Sequence, residues 1–400
     1  MTRADYDVVV SGGGIAGMVA AASFGALGFR VLIVDPAPPV TDGSDPAADR
    51  RSTAFLQPAR DTLDQAGAWA RLADHGTALQ IMRLADASGP EGSIRAIADF
   101  DAAELGPNPF GWNFPNWLLR RELSAHLEAF ENVDYRPGVG TLRVVTRTQQ
   151  ALVDLDDGTG VTARLLIAAD GRESPVRQML GIAADRWSYD QRALVFTVSH
   201  PRPHDNVSTE LHRSGGPFTL VPLPNPTDSA VVWMESSDKA AALMAQDDPE
   251  FAAAATERSC AVQGDLTVTS PRAVWPIISQ RARSLTGERT VLIAEAAHVM
   301  PPIGAQGLNM SLADIRCLRD LAHADPNSLG DAAMLATYAR RRHPDINLRM
   351  AGVDALNRAA IAGSDAWTAL RMRGMQTLHG VTPLRRTAMR LGLGAGRLTG

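Results

Sequence analysis

The chain has 400 residues, 45% hydrophobic and 21% charged, with a formal net charge of −5. This is enough for one large domain or two with a substantial core, and the mild acidity gives no reason to expect nucleic acid as a partner. Lys239 is the only lysine, so the Tyr-x-x-x-Lys pair of a short-chain dehydrogenase is excluded, and the isolated Cys260 and Cys317 argue against a dithiol flavoenzyme, a disulfide framework or a cysteine metal site.

The first predicted strand is Asp7 to Val10, an apolar run rich in β-branched residues of the kind found in buried parallel strands. Gly12, Gly14 and Gly17 follow at G-x-G-x-x-G spacing. A helical segment, with Ile15 and Ala16 at its start, runs to about Gly28. Arg30 to Val34 forms a second strand ending at Asp35. In such a βαβ unit the first glycine permits a tight turn and the second lets backbone approach a pyrophosphate. The third lets the helix pack close to the strand. The helix N-terminus aims unpaired N–H groups at the phosphates. Asp35 stands where a carboxylate accepts hydrogen bonds from an adenosine ribose and disfavours a 2′-phosphate. The unit therefore holds the ADP half of NAD or of FAD, and by itself does not say which.

Arg51 to Trp69 reads as an extended entry and a helix stopping near Gly67. Residues 77–100 read as two strands around the Ala87–Gly92 turn, and Asp101 to Pro115 as irregular chain. Leu118 to Phe130 is helical, with Leu119, Leu123 and Leu127 on one face. Residues 139–168 resemble an antiparallel pair around Asp156-Asp157-Gly158. From Arg186 to Trp275, β-like runs at 193–199, 206–212, 217–222 and 229–235 precede helices at 238–246 and 249–258. Residues 290–294 return to buried-strand texture, and a long helix runs from near Gly307 through Leu321. The remainder is helical, Arg-rich and amphipathic. The expected fold class is α/β: a Rossmann-like dinucleotide-binding domain with a parallel sheet, a β-rich substrate domain and a helical C-terminus. The dinucleotide domain is expected to be discontinuous (1–75, 116–185 and 276–345). The substrate domain takes 76–115 and 186–275, and the C-terminal segment takes 346–400. The first strand begins close to the start, which leaves no room for a signal peptide, and no run reaches the ~20 apolar residues of a membrane span. A cytoplasmic protein is expected.

Three further features carry chemistry. Asp170-Gly171 ends a strand and precedes a helix with Ser174 as its expected N-cap; alone it reads as an ordinary turn. Val291 to Asp314 delivers Glu295, the rigid Pro301-Pro302 pair, then Gly304, Gly307 and Asn309 at the start of a helix. A loop of fixed shape with exposed amides, aimed by a helix N-terminus, suits a delocalised anion such as reduced flavin. Arg51 and Arg120 or Arg121 are candidate clamps on a pyrophosphate, although solvated arginines are the commoner case. His200 and His204 are separated by prolines and make a poor metal pair. Trp112, Trp117, Phe110 and Phe114 read as core.

Taken together, the chain resembles the group A flavoprotein aromatic hydroxylases, which have the para-hydroxybenzoate hydroxylase fold. It is most similar to their ubiquinone-biosynthesis branch. The resemblance rests on Gly12, Gly14, Gly17 and Asp35; on Arg51-Ser52-Thr53-Ala54; on Arg120-x-Glu122-Leu123; and on Asp170-Gly171-x-x-Ser174-x-Val176-Arg177. It extends to Ala294-Glu295-Ala296-Ala297-His298 and to Pro302-x-Gly304-x-Gln306-Gly307-x-Asn309. It implies FAD as cofactor and NAD(P)H as co-substrate. It implies cofactor contacts from these residues and Leu308, and a loop of Pro302, Gly304 and Gln306 at the reacting edge of the flavin, with no side-chain acid or base. The implied reaction is hydroxylation of a polyprenylated phenol, a lipid-like substrate, with oxygen activated on the reduced flavin. No W-x-W-x-I-P sequence is present, which disfavours a flavin halogenase. Glu295 stands where the family has aspartate and Ala294 where it has glycine, which lends weight to a noncatalytic scaffold subunit as one alternative; the other is a flavin oxidoreductase of similar fold that does not hydroxylate, such as a prenyl-chain reductase. Arg371, Arg373, Arg385, Arg386 and Arg390 offer a basic face to a membrane surface or a biosynthetic complex, against the simpler reading of a solvated face packed on the core.

Overall fold

Val8, Val9 and Val10 have no exposed surface because their strand lies in the middle of a sheet covered on both sides. The computed structural model describes residues 4–213, 215–361 and 382–393. In it, strand Ala4–Ser11 runs parallel to Val31–Asp35 on one side and to Gly160–Ala168 on the other. Val133–Pro137 and Thr290–Leu292 extend the sheet outward, also in parallel. Burial on both faces explains why these strands read as unbroken apolar runs. The ends at Ser11, Asp35, Ala168 and Leu292 consequently share one edge, where ligands bind in open α/β sheets. The expected antiparallel pair is Ala151–Leu155 with Gly160–Ala168. Helix Ile15–Gly25, buried over nearly its whole length, packs against helices Asn116–Leu127 and Gln306–Ala324.

A second sheet of nine strands is antiparallel except where Val207–Arg213 runs parallel to Ile81–Asp86. The runs expected from the sequence appear in it as Ala184–Ser199, Val207–Arg213, Gly216–Pro222 and Asp228–Ser236. Its two faces have different neighbours. Phe196, Val231 and Trp233 pack with Phe251 under helices Ser237–Met244 and Asp248–Arg258. On the other face Ala193, Val195, Met234 and Ile277 meet Ile303 and Val353.

One segment differs from expectation. Gly111–Pro115, read as irregular, is the middle strand of a three-stranded sheet with Ser52–Leu56 and Thr77–Leu79. Gly111 and the asparagines around it hide the strand signal, but the aromatics fix it. Phe114 packs at 5.9 Å from Phe55, and Trp112 at 5.0 Å from Trp69. The aromatic cluster is thus core.

Helix Thr382–Leu393 docks beside the nine-stranded sheet. Met389 joins Ala98, Phe100 and Phe110 in a buried cluster, and Arg385 pairs with Glu104 at 2.8 Å. Arg386 and Arg390 face outward, while Arg371 and Arg373 lie outside the described residues. Among the described residues no helix is long and apolar enough to cross a membrane.

Candidate active site

The glycines after the first strand are not equivalent. Gly12 has φ +112°, and a Cβ there would lie 2.3 Å from the Ala169 carbonyl oxygen. A Cβ on Gly17 would lie 1.8 Å from the Gly12 carbonyl oxygen. Both are demanded by the chain's own packing. A Cβ added at Gly14, by contrast, would meet no protein atom within 4 Å beyond its own chain neighbours. Gly14 opens helix Ile15–Gly25, whose first amides have no side-chain cap, so the helix presents free N–H groups to whatever approaches. The Asp35 carboxylate accepts from Gly13 N–H at 2.6 Å and from Ala37 N–H at 2.9 Å, which fixes it beside the loop. Arg120, on helix Asn116–Leu127, has a buried Nε with no hydrogen-bond partner.

Asp170 is turned toward its own chain. It accepts from Val176 N–H at 3.0 Å and is hydrogen-bonded to the Ser174 hydroxyl. Burial raises its pKa against the pull of those two donors. Ser174 caps the following helix as expected, accepting from Arg177 N–H at 3.0 Å. The buried Arg177 then donates to the carbonyls of Ala296 and Arg172 at 2.9 and 2.8 Å. This stitches the Asp170-Gly171 turn to the Ala294–Ala297 turn. Across the junction Arg172 holds Glu295, Nε to Oε2 at 3.1 Å and Nη2 to Oε1 at 3.3 Å. Ala294 has φ +55°, the left-handed region that favours glycine.

The loop after His298 is fixed from below. His298 Nε2 meets Asp314 at 2.7 Å, and Arg342 donates to the other oxygen of Asp314 at 2.7 Å, all three buried. Burial pushes the Asp314 carboxyl up, but Arg342 and His298 outweigh it and hold its pKa below the ordinary value. Above them Pro302, Gly304 and Gly307 are exposed, and helix Gln306–Ala324 begins with no side-chain cap. The Asn309 side chain is occupied: it accepts from Leu56 N–H at 2.9 Å and donates to the carbonyls of Ala54 and Ala305 at 2.8 and 2.6 Å. It clamps the helix start to strand Ser52–Leu56. Gln306 accepts from Arg349 at 2.9 Å. Arg51 is likewise engaged, forked onto Asp49 at 2.8 and 2.7 Å and lying 4.9 Å from the Trp275 ring centre. Leu308 is half-buried beside the loop, and Ser52 starts the clamped strand.

The FAD binding domain family matches residues 5–350. The chain belongs to that family. It is 31% identical to the ubiquinone hydroxylase UbiL of Rhodospirillum rubrum, over 98% of this chain and 90% of that protein. It is 26% identical to the 3-demethoxyubiquinol 3-hydroxylase of Escherichia coli, over 98% of this chain and 100% of that protein. Among solved structures, p-nitrophenol 4-monooxygenase PnpA from Pseudomonas putida superposes with a TM-score of 0.81 at 18% identity, covering 99% of this chain and 100% of that one. The protein is an FAD-dependent monooxygenase of α/β architecture.

The residues present fit FAD. The room for a side chain at Gly14, two helix starts without side-chain caps and the unpartnered Arg120 Nε are the space and donors that a pyrophosphate-bearing cofactor calls for. Space is likewise open around Gly171 and Gly307. Sequence reasoning missed Arg172, Asp314, Arg342 and Arg349 as supports of this site. They lie far from their partners along the chain and carry no motif signal, although Arg172 sits inside the Asp170-Gly171 stretch.

Proposed function

We propose that the chain hydroxylates the aromatic ring of a polyprenylated phenol in ubiquinone biosynthesis, with NAD(P)H and O2 as co-substrates. The observation carrying this reading is the apolar contact between the exposed loop and the nine-stranded sheet. Ile303 and Met300 pack against Ala193, Val195, Met234 and Ile277 beside the loop's free backbone edge. A lipid-like phenol suits that wall.

In this reading Gly12, Gly14, Ile15, Ala16 and Gly17 surround the pyrophosphate through backbone. Asp35 takes the adenosine ribose. Arg120 neutralises phosphate charge, with Arg51 and Ser52 nearby on the adjoining strand. Asp170, Gly171 and Glu295 border the ribityl chain. Bound FAD, reduced by NAD(P)H, supplies the oxygen activation. The protein's part is to bind, orient and exclude water. The N-terminus of helix Gln306–Ala324, with Gly307, Leu308 and Asn309 in its first turn, offers N–H groups to negative charge on the reduced ring. Pro302, Gly304 and Gln306 shape the reacting edge, and the apolar wall keeps water from the ring carbon. No side chain is assigned as acid or base. We further propose a peripheral membrane contact through Arg386 and Arg390, on the outward face of the docked C-terminal helix.

The test is to purify the protein, record its visible spectrum, and follow NAD(P)H oxidation with and without a prenylated phenol under labelled dioxygen. One labelled oxygen in the product is expected. Oxidation of NAD(P)H without label in any product points to the oxidoreductase alternative. Absence of flavin peaks after FAD addition rejects both enzyme readings.

A further inference from the structure

Gly304 and Ala305 are both left-handed, with φ of +62° and +54°. Alanine resists that conformation, so the turn needs support from beyond its own backbone. Two side-chain amides supply it. Gln306 Nε2 donates to the Gly304 carbonyl at 3.0 Å, and Asn309 Nδ2 donates to the Ala305 carbonyl at 2.6 Å. A trans peptide points its N–H opposite to its carbonyl. Pinning these two carbonyls therefore also sets the direction of the Ala305 and Gln306 amides, where helix Gln306–Ala324 begins.

The two pins are held from different sides. Asn309 is locked by strand Ser52–Leu56. Gln306 is locked by Arg349, whose Nη1 donates to Gln306 Oε1 at 2.9 Å. A guanidinium only donates, so it takes the amide oxygen and leaves Nε2 for Gly304. Arg349 is itself fixed. Its Nε donates to Asp345 Oδ1 at 2.9 Å, and the other oxygen of Asp345 accepts from Arg342 Nη1 at 2.5 Å. Arg342 reaches Asp314, and Asp314 reaches His298 before the loop. Arg342, Asp345 and Arg349 all belong to helix Ala332–Ile361, and Val353 of the same helix packs with Ile303 in the loop. One helix thus grips the loop from its beginning to its end.

We propose that Arg349 is a positioning residue for the flavin chemistry. It orients the Gln306 amide, and through it the loop N–H groups that meet negative charge on the reduced flavin. This rests on the reading that Pro302, Gly304 and Gln306 border the flavin ring. Two electrons and one proton convert bound FAD to its anionic reduced form, and aligned N–H groups favour that form over the oxidised one.

The experiment is anaerobic reductive titration of the FAD-loaded protein against a reference dye. Arg349→Met keeps an apolar stem but removes every donor. Reduced flavin should then bind about tenfold more weakly relative to oxidised flavin, which places the two-electron potential about 30 mV lower. Gln306→Ala should give a similar shift, and the double variant should add nothing to it. Should Arg349→Met fail to retain FAD, Arg349→Lys replaces it. An ammonium lacks the fork that spans Asp345 and Gln306, so about threefold weaker relative binding, near 15 mV, is expected. A potential unchanged in the Arg349 variant while Gln306→Ala shifts it overturns the proposal. So do additive shifts in the double variant, which would route the effect of Arg349 elsewhere than through Gln306. If Gln306→Ala also leaves the potential unchanged, the loop does not border the ring, and the reading beneath the proposal falls with it.

Discussion

Arg172 grips Glu295 with two N–H donors, at 3.1 and 3.3 Å, across the junction of two strand-end turns. The extra methylene of glutamate, relative to the family's aspartate, allows that reach. Glu295 is half exposed, so the pair itself adds little stability. Glu295→Asp withdraws the carboxylate from Arg172 toward the strand end and should tighten FAD binding several-fold. Fluorescence titration of the apoprotein measures it, and an unchanged or weaker affinity rejects the idea that the longer side chain is a compromise.

Ala294 adjoins that pair with φ +55°. A left-handed alanine carries roughly 1 kcal/mol of strain, and the greater unfolded-state freedom of glycine offsets about half of it. Ala294→Gly should therefore raise unfolding stability by about 0.5 kcal/mol. Urea melts with an unchanged slope would register this as a shift in midpoint.

Gly17 and Gly14 should fail differently. Gly17→Ala drives a Cβ into the Gly12 carbonyl and should destabilise the fold by about 2 kcal/mol or more. Gly14→Ala meets no protein atom within 4 Å and should melt like the parent. It should nonetheless bind FAD at least tenfold more weakly, about 1.4 kcal/mol. Equal FAD affinity in Gly14→Ala would remove this residue from the proposed pyrophosphate site.

The buried His298–Asp314–Arg342 group sets an acid limb of stability. The Asp314 pKa is depressed in the fold, so its contribution is complete above the unfolded carboxylate value of about 3.9. That contribution is lost as pH falls through the lower folded value. Asp314→Asn should flatten this limb. At neutral pH it leaves the buried Arg342 Nε without its acceptor while Asp345 still pairs the guanidinium, at a cost of about 1–3 kcal/mol. Stability measured against pH for both proteins decides the matter, and parallel curves would contradict it.

Arg386 and Arg390 lie on the outer side of a helix anchored by Arg385 and Met389. Replacing both with glutamate should weaken sedimentation with anionic vesicles while leaving the melting temperature near that of the parent. Each arginine near an anionic surface is worth about 1 kcal/mol. Unchanged vesicle binding would dismiss the membrane contact.

The sequence by itself determined the parallel strands, the glycine spacing, the Ser174 cap and the order of the flavin-protein motifs. Each of these depends on neighbours a few residues apart, and local backbone geometry imposes a local pattern. The sequence also carried the two departures, Ala294 and Glu295, but not what becomes of them. Only the tertiary structure decided that Glu295 turns to Arg172 and that the Asn309 amide is used up on strand Ser52–Leu56. Only it decided that Arg51 is forked onto Asp49, and that Gly12 and Gly17 serve chain packing while Gly14 is left open. The Arg172–Glu295 and Asn309–Ala54 pairings join residues 123 and 255 positions apart. They form because the strand ends share one edge, a consequence of parallel pairing that no local stretch of the sequence encodes.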